Sequence, residues 1–208
     1  MSTPSLGLYV LASLALIATP GQDMIYVITR SLAQGRFAGL YSAVGVCLGI
    51  LVHTALAALG VGAILQASES LFVLLKLAGA AYLVYLGLRL VLSRDAARVD
   101  AASRTRMAPL RLVWQGVLSN VTNPKIALFF FAFLPQFVDP ASTHPTRDLA
   151  FLGVLYATLA LPVKAGVGLA AGSLSERVLG HPRAMTWMNR VSGGVLIALG
   201  LRLAATDR

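Results

Sequence analysis

The stretch from Leu6 to Ile28 reads LGLYVLASLALIATPGQDMIYVI. A helix needs about 20 predominantly apolar residues to cross a bilayer, and this stretch supplies them. Thr19-Pro20-Gly21-Gln22-Asp23 interrupts it. A second apolar stretch, Leu112–Val138, is interrupted in the same way at Asn123-Pro124-Lys125. Thr or Asn followed by Pro reads as an N-cap and a first helical residue. Thr19 with Gln22 also fits a capping box. Each break therefore predicts a half-helix that starts within the membrane, its exposed N–H groups forming a positive pole. The alternative is a pair of proline kinks repaired by neighbouring helices, which membrane helices tolerate.

Four more stretches have the length and apolarity of a span: Gly39–Leu65, Leu71–Leu92, Leu149–Gly172 and Trp187–Ala205. The composition agrees. Of 208 residues, 57% are hydrophobic and 12% charged, and the mean hydropathy is +0.77. A soluble domain runs about 45–50% apolar and about 25% charged, which rules out disorder and makes a water-soluble core implausible. Six spans leave no room for a soluble domain, which predicts one all-α membrane domain over residues 1–208. Residues 1–5 carry no Lys or Arg and the first apolar run continues into Pro20, so it reads as a retained span and not a signal peptide. The single cysteine, Cys47, precludes a disulfide framework, and no metal-type Cys/His cluster is present, so no metal and no cofactor are expected.

The arginines orient the spans. Loops after the first, third and fifth spans hold Arg30, Arg36, Arg94, Arg98, Arg104, Arg106, Arg111, Arg177 and Arg183, against Arg147 and Arg208 on the other side. That bias puts the first set in the cytoplasm and both termini outside. The net charge of +9 is thereby topology and not a nucleic-acid footprint. A weaker alternative lets the loop from Ser93 to Leu110 touch anionic lipid or RNA. This Arg-rich linker, residues 93–111, separates residues 1–92 from 112–208, three spans each. An odd number of spans per half gives the halves opposite orientation, the arithmetic of an inverted repeat with broken first and fourth helices. Lys76-Leu-Ala-Gly79 matches Arg190-Val-Ser-Gly193, and Leu86-Gly-Leu-Arg-Leu90 recurs as Leu199-Gly-Leu-Arg-Leu203 with a one-residue offset. Small-residue faces at Gly45/Gly49 and Gly193/Gly194 permit close packing, within the bundle or in a homodimer.

Ionisable groups are costly in lipid and mark functional sites by default. All three lysines, Lys76, Lys125 and Lys164, lie within spans, with Asp23 the one acid well inside and His53 the one intramembrane histidine. Lys125 is the second residue of its half-helix, where burial and the dipole both disfavour its charge. A carboxylate must offset this, either Asp23 in a structural pair or a substrate's. Lys164 follows Pro162 at similar depth, and His53 occupies a comparable place in the second span, so the two read as repeat equivalents. A lone His on an apolar helix is more often a core residue than a proton relay. Lys76 lies near its span's end and can snorkel outward. Three cations against one acid suit a ligand bringing a carboxylate, while Asp23 can receive an ammonium group. Gln22, Asn120, Thr122 and Asn123 add neutral hydrogen-bonding groups, and a zwitterion meets both demands.

Pro20-Gly21-Gln22-Asp23, Arg30-Ser-Leu-Ala-Gln-Gly35, Lys76-Leu-Ala-Gly-Ala-Ala-Tyr-Leu-Val-Tyr-Leu-Gly87, Asn123-Pro124-Lys125 and the run Phe133–Pro140 together resemble the LysE/RhtB family of bacterial amino-acid exporters. The likeness covers nearly the whole chain and is nearer to the homoserine, threonine and leucine branch. Gln22 departs from it, standing where the family usually has a second proline. The resemblance implies proton-coupled efflux of small amino acids through the bacterial inner membrane. The expected substrate-binding set is Pro20, Gly21, Gln22, Asp23, Asn120, Asn123, Pro124, Lys125 and Lys164. Asp23, His53 and Lys125 are candidates for proton coupling, with Lys76 more peripheral. Two other classes stand beside this one. One is an intramembrane serine hydrolase using Ser119 and His53, which lacks a nucleophile-elbow motif. The other is a non-transporting structural membrane protein, which the short loops disfavour.

Overall fold

The computed structural model describes residues 3–61, 69–92, 106–139, 142–173 and 182–205. Every regular element among them is helical. In chain order these are α1 (Thr3–Ala18), α2 (Gln22–Gln34), α3 (Arg36–Leu56), α4 (Glu69–Leu92), α5 (Pro109–Val121), α6 (Pro124–Leu128), α7 (Pro145–Ser173) and α8 (Pro182–Ala205). A wide π turn, Ala57–Val61, prolongs α3. Behind α6 come a π turn, Phe129–Phe133, and a 3-10 turn, Leu134–Phe137.

Two helices, α3 and α7, are long and apolar enough to cross a membrane on their own. Two bent pairs qualify when each is taken together: α1 with α2 at 49°, and α5 with the α6 segment at 54°. The described residues thus hold two to four membrane spans by length and composition, and both breaks fall where the paired prolines predict them. Most of the linker 93–111, with Arg94, Arg98 and Arg104, and the loop holding Arg177 lie outside the described residues.

The two breaks are built differently. At the second, Asn123 caps α6 as expected, its side-chain oxygen accepting from the Lys125 amide at 3.1 Å, and Pro124 is the first helical residue. At the first, the expected capping box is absent. Thr19 does not cap α2, because its hydroxyl donates back to the Ala15 carbonyl at 2.8 Å. Pro20 is not the first helical residue either: Gly21 occupies the N-cap in an extended conformation, φ −149° and ψ −178°, and α2 begins at Gln22. A threonine ending a helix has a carbonyl one turn behind within reach, and that bond competes with forward capping.

Glycines set the packing directions. A Cβ at Gly39 would lie 2.9 Å from Gly168 Cα, and Thr54 crowds Gly153 further along, so α3 and α7 run antiparallel. The pair α4 and α8 does likewise. A Cβ on Gly87 would meet the Gly193 carbonyl at 2.6 Å, and one on Gly200 the Ala80 carbonyl at 2.8 Å. Along α5, Gly45 meets Val113 and Gly49 meets Val117 and Asn120, so α3 and α5 are parallel. Gly45, Gly49 and Gly193 therefore serve the molecule's own bundle, whereas nothing lies within 4 Å of a Cβ at Gly194. Added bulk against a backbone carbonyl cannot relax by a rotamer change, and overpacking costs about 1–3 kcal/mol or more. Gly87→Leu should accordingly lower the melting temperature in detergent and broaden the elution profile, while Gly194→Ala should leave both unchanged.

The aromatic core lies between α1, the segment after α6, and α7. Tyr9 packs edge-on to Phe137 at 5.1 Å, and Tyr156 meets Phe129 at 5.0 Å and Phe130 at 5.4 Å. The Tyr9 hydroxyl donates to the Leu152 carbonyl at 2.6 Å, which meets the requirement that a buried phenol find a partner.

Candidate functional site at the two helix breaks

A proline lacks the amide that would pair with the carbonyl four residues earlier. Pro20 thereby frees the Leu16 carbonyl, and the extended Gly21 and the late start of α2 free those of Ile17 and Thr19. Two lysines from the other half of the chain take up all three. Lys125 Nζ donates to the Thr19 carbonyl at 2.9 Å and the Leu16 carbonyl at 3.3 Å. Lys164 Nζ donates to the Ile17 carbonyl at 3.5 Å. The carbonyl end of a helix is its negative pole, so both ammonium groups are electrostatically well placed there.

The mirror of this arrangement appears at the second break. Pro124 denies the Asn120 carbonyl its usual amide four residues on; the carbonyl accepts from the Asn123 amide at 2.9 Å instead, and His53 Nε2 lies 3.2 Å from it. A carbonyl only accepts, so Nε2 carries the hydrogen. A basic side chain from each half thus holds the broken end of the other: Lys164 and Lys125 on α1, His53 on α5.

Asp23 stands at the second position of α2, where a carboxylate favours the helix's positive pole. Its Oδ2 lies 2.9 Å from Lys164 Nζ, and its Oδ1 accepts from Asn123 Nδ2 at 3.1 Å. The resting partner of Asp23 is therefore Lys164, and the Lys125–Asp23 pair that the sequence suggests is corrected. Lys125 turns to carbonyls instead, because the proline break exposes acceptors at closer reach. Asp23 is fully buried, and Lys125 and Lys164 are 3% and 2% exposed. Gly21 is the contact point of the cluster. A Cβ there would lie 2.9 Å from Lys125 Nζ and 3.2 Å from Asp23 Oδ1, so only glycine lets both approach.

The structure thus brings Pro20, Gly21, Asp23, Asn123, Pro124, Lys125 and Lys164 together, with Gln22 beside them. Gln22 and Thr122 are exposed, and Gln22 Nε2 reaches Thr122 Oγ1 at 3.4 Å. Asn120 lies a step away: its carbonyl faces His53, while its fully buried side-chain amide has no hydrogen-bond partner among the described residues and packs on Gly49. The imidazole of His53 sits 5.9 Å from the rings of both Phe130 and Phe131. Lys76 is half-buried on α4, a helix that packs chiefly on α8. His53 engages the carbonyl of Asn120, and no contact to the Ser119 hydroxyl accompanies it.

Sequence alone did not bring out a second line of contacts, between α2 and the start of α5. The Tyr26 hydroxyl donates to the Leu112 carbonyl at 2.7 Å, Arg30 Nη2 to Gln115 Oε1 at 3.2 Å, and the Met107 amide to Gln34 Oε1 at 2.7 Å. Tyr26, Arg30 and Gln34 follow one another at four-residue spacing on α2, so a single helix face ties α2 to α5 and its approach. That spacing was available as a signal.

Charged groups buried at two broken helices define an all-helical membrane protein with its polar centre inside the bundle. The chain belongs to the LysE type translocator family, whose model matches residues 14–207. It is 33% identical over 197 residues to an uncharacterised membrane protein of Vibrio cholerae, covering 94% of each chain. It is 30% identical over 197 residues to a homoserine/homoserine lactone efflux protein of Salmonella typhimurium, covering 95% of this chain and 94% of that one. A leucine efflux protein of Salmonella choleraesuis is 28% identical over 136 residues, 65% of this chain and 64% of its own. No solved structure matches significantly. The family and these names point to a membrane-embedded transporter and away from a serine hydrolase.

Proposed function

We propose that the protein is a secondary-active exporter of small amino acids or their derivatives, coupled to protons and set in the bacterial inner membrane. The observation that carries this is the division of labour between the two lysines. Asp23 is ion-paired with Lys164 and accepts from Asn123, whereas the hydrogen bonds of Lys125 Nζ among the described residues go to the carbonyls of Leu16 and Thr19. An incoming carboxylate can replace those carbonyls at Lys125, since a charged acceptor makes the stronger hydrogen bond. The substrate's ammonium group then meets Asp23. One zwitterion satisfies both groups, and the family and the relatives named for efflux support the same reading.

The same proposal takes the chain as six spans in two inverted three-helix repeats, 1–92 and 112–208, with both termini outside. Several packing directions fit it. Inversion requires equivalent spans to be antiparallel, as α3 with α7 and α4 with α8 are, and the second and fourth spans to be parallel, as α3 and α5 are. The crossed capping by Lys164 and His53 supports it further. Asp23, Lys125 and His53 are the groups proposed for proton coupling, with Lys76 outside the binding set.

The test is release of labelled amino acids from proteoliposomes containing the purified protein, with an imposed pH gradient and without one. Export of at least one small neutral amino acid above protein-free vesicles is expected, rising with the gradient. Release no faster than from empty vesicles, for every amino acid and lactone tried, overturns the assignment.

A further inference from the structure

Tyr156 lies in the middle of α7 and is 1% exposed, its ring packed on Phe129 and Phe130. Its hydroxyl is buried and has no hydrogen-bond partner among the described residues. Tyr9, in the same aromatic core, makes the contrast. The Tyr9 hydroxyl is satisfied by the Leu152 carbonyl, one turn before Tyr156 on α7. A phenylalanine at 156 would keep both ring contacts and spare the desolvation of an unpaired hydroxyl, so packing does not account for the oxygen.

Tyr156, Ala160 and Lys164 follow one another at four-residue spacing on one buried face of α7. Only a methyl side chain therefore stands on that face between the phenol and the lysine. From the other half of the site, Phe129 follows Lys125 by four residues and carries the ring that Tyr156 touches at 5.0 Å. The Asp23 carboxylate lies within electrostatic reach of the Tyr156 hydroxyl. The phenol thus borders the charged cluster. A carboxylate has two oxygens, and a lysine acts on it as a single point charge, which leaves an oxygen in need of a donor. A neutral phenol supplies one without adding charge to a centre that already holds two lysines.

We infer that Tyr156 is a substrate-binding residue, its hydroxyl donating to the carboxylate oxygen of the exported amino acid that Lys125 leaves open. The inference rests on the export reading above. The hydroxyl is unpaired in the empty protein because its partner arrives with the substrate. A hydrogen bond to a charged group corresponds to about ten- to hundredfold in affinity.

The experiment compares the wild type, Tyr156→Phe and Tyr9→Phe in proteoliposomes, using an amino acid that the wild type exports. Initial release at varied internal concentration gives the half-saturating concentration and the maximal rate, and thermal melts in detergent give stability. Tyr156→Phe should raise half-saturation about tenfold or more with the maximal rate little changed, and its melting temperature should equal or exceed that of the wild type. Tyr9→Phe, which loses a bond already made within the fold, should melt lower and keep wild-type half-saturation. Half-saturation unchanged in Tyr156→Phe, or raised equally in Tyr9→Phe, overturns the inference and leaves the export reading intact. A lowered melting temperature in Tyr156→Phe also overturns it, because the hydroxyl then has a partner in the fold. A wild-type protein that exports no amino acid overturns both.

Discussion

Lys125→Ala should abolish export while the protein remains folded and in the membrane. In the resting molecule Lys125 satisfies two carbonyls that Pro20 and Gly21 have freed, and those carbonyls face a site containing Gly21, Asp23 and Gln22. A small polar gap beside Asp23 can take water in place of the ammonium group, so the fold tolerates the loss better than the function does. Transport has no such substitute, because the remaining lysine of the cluster, Lys164, is already paired with Asp23. Lys125→Arg should also fail. Arginine keeps the charge but presents a broad planar fork, which does not fit the compact space between Thr19 O and Leu16 O. Uptake of labelled substrate into, and release from, proteoliposomes at matched protein content measures both variants. Wild-type rates for Lys125→Ala would move the binding site to Lys164.

Lys164 and Asp23 should separate stability from transport. Removing one partner of a buried pair leaves an uncompensated charge and typically costs about 3–5 kcal/mol, whereas replacing both by neutral groups is often near neutral. Lys164→Met alone should therefore lower the yield and the melting temperature sharply, leaving the Asp23 carboxylate with Asn123 Nδ2 as its one side-chain donor among the described residues. The double variant Asp23→Asn, Lys164→Met should recover most of that stability and still not export, since nothing anionic remains for an ammonium group. Thermal melts in detergent and transport assays on the same preparations read the two effects. A double variant that transports would show the pair to be structural only.

The placement of the breaks was legible because each proline stands beside a residue that favours a helix end, Gly21 at the first break and the capping Asn123 at the second, whereas Pro162, with Leu161 and Val163 beside it, lies inside the unbroken α7. The partners of the buried charges were not legible in the same way. Asp23 pairs with Lys164, far away in the chain, because α2 and α7 pack side by side, and residue types alone left Lys125 as an equally good candidate. Lys125 itself found backbone acceptors, which no side-chain inventory displays. The capping box at Thr19 was misread for a more instructive reason. The motif Thr-x-x-Gln assumes a helix starting at the threonine, but here the threonine also ends one, and the earlier helix claims its hydroxyl. His53 shows the limit from the other side: its depth suggested kinship with Lys164, while its contact with the Asn120 carbonyl depends on how α3 crosses α5.

The buried cluster has a consequence in electrical terms. Asp23, Lys125 and Lys164 together bear one net positive charge, and a zwitterion adds none. The loaded and empty centres are then equally charged, so the substrate makes no contribution to charge displacement across the bilayer. A membrane potential acts at about 2.3 kcal/mol per elementary charge per 100 mV, and on the proposed function it acts through the protons exchanged for the amino acid. On the proposed function, the current per molecule exported consequently counts the exchanged protons directly.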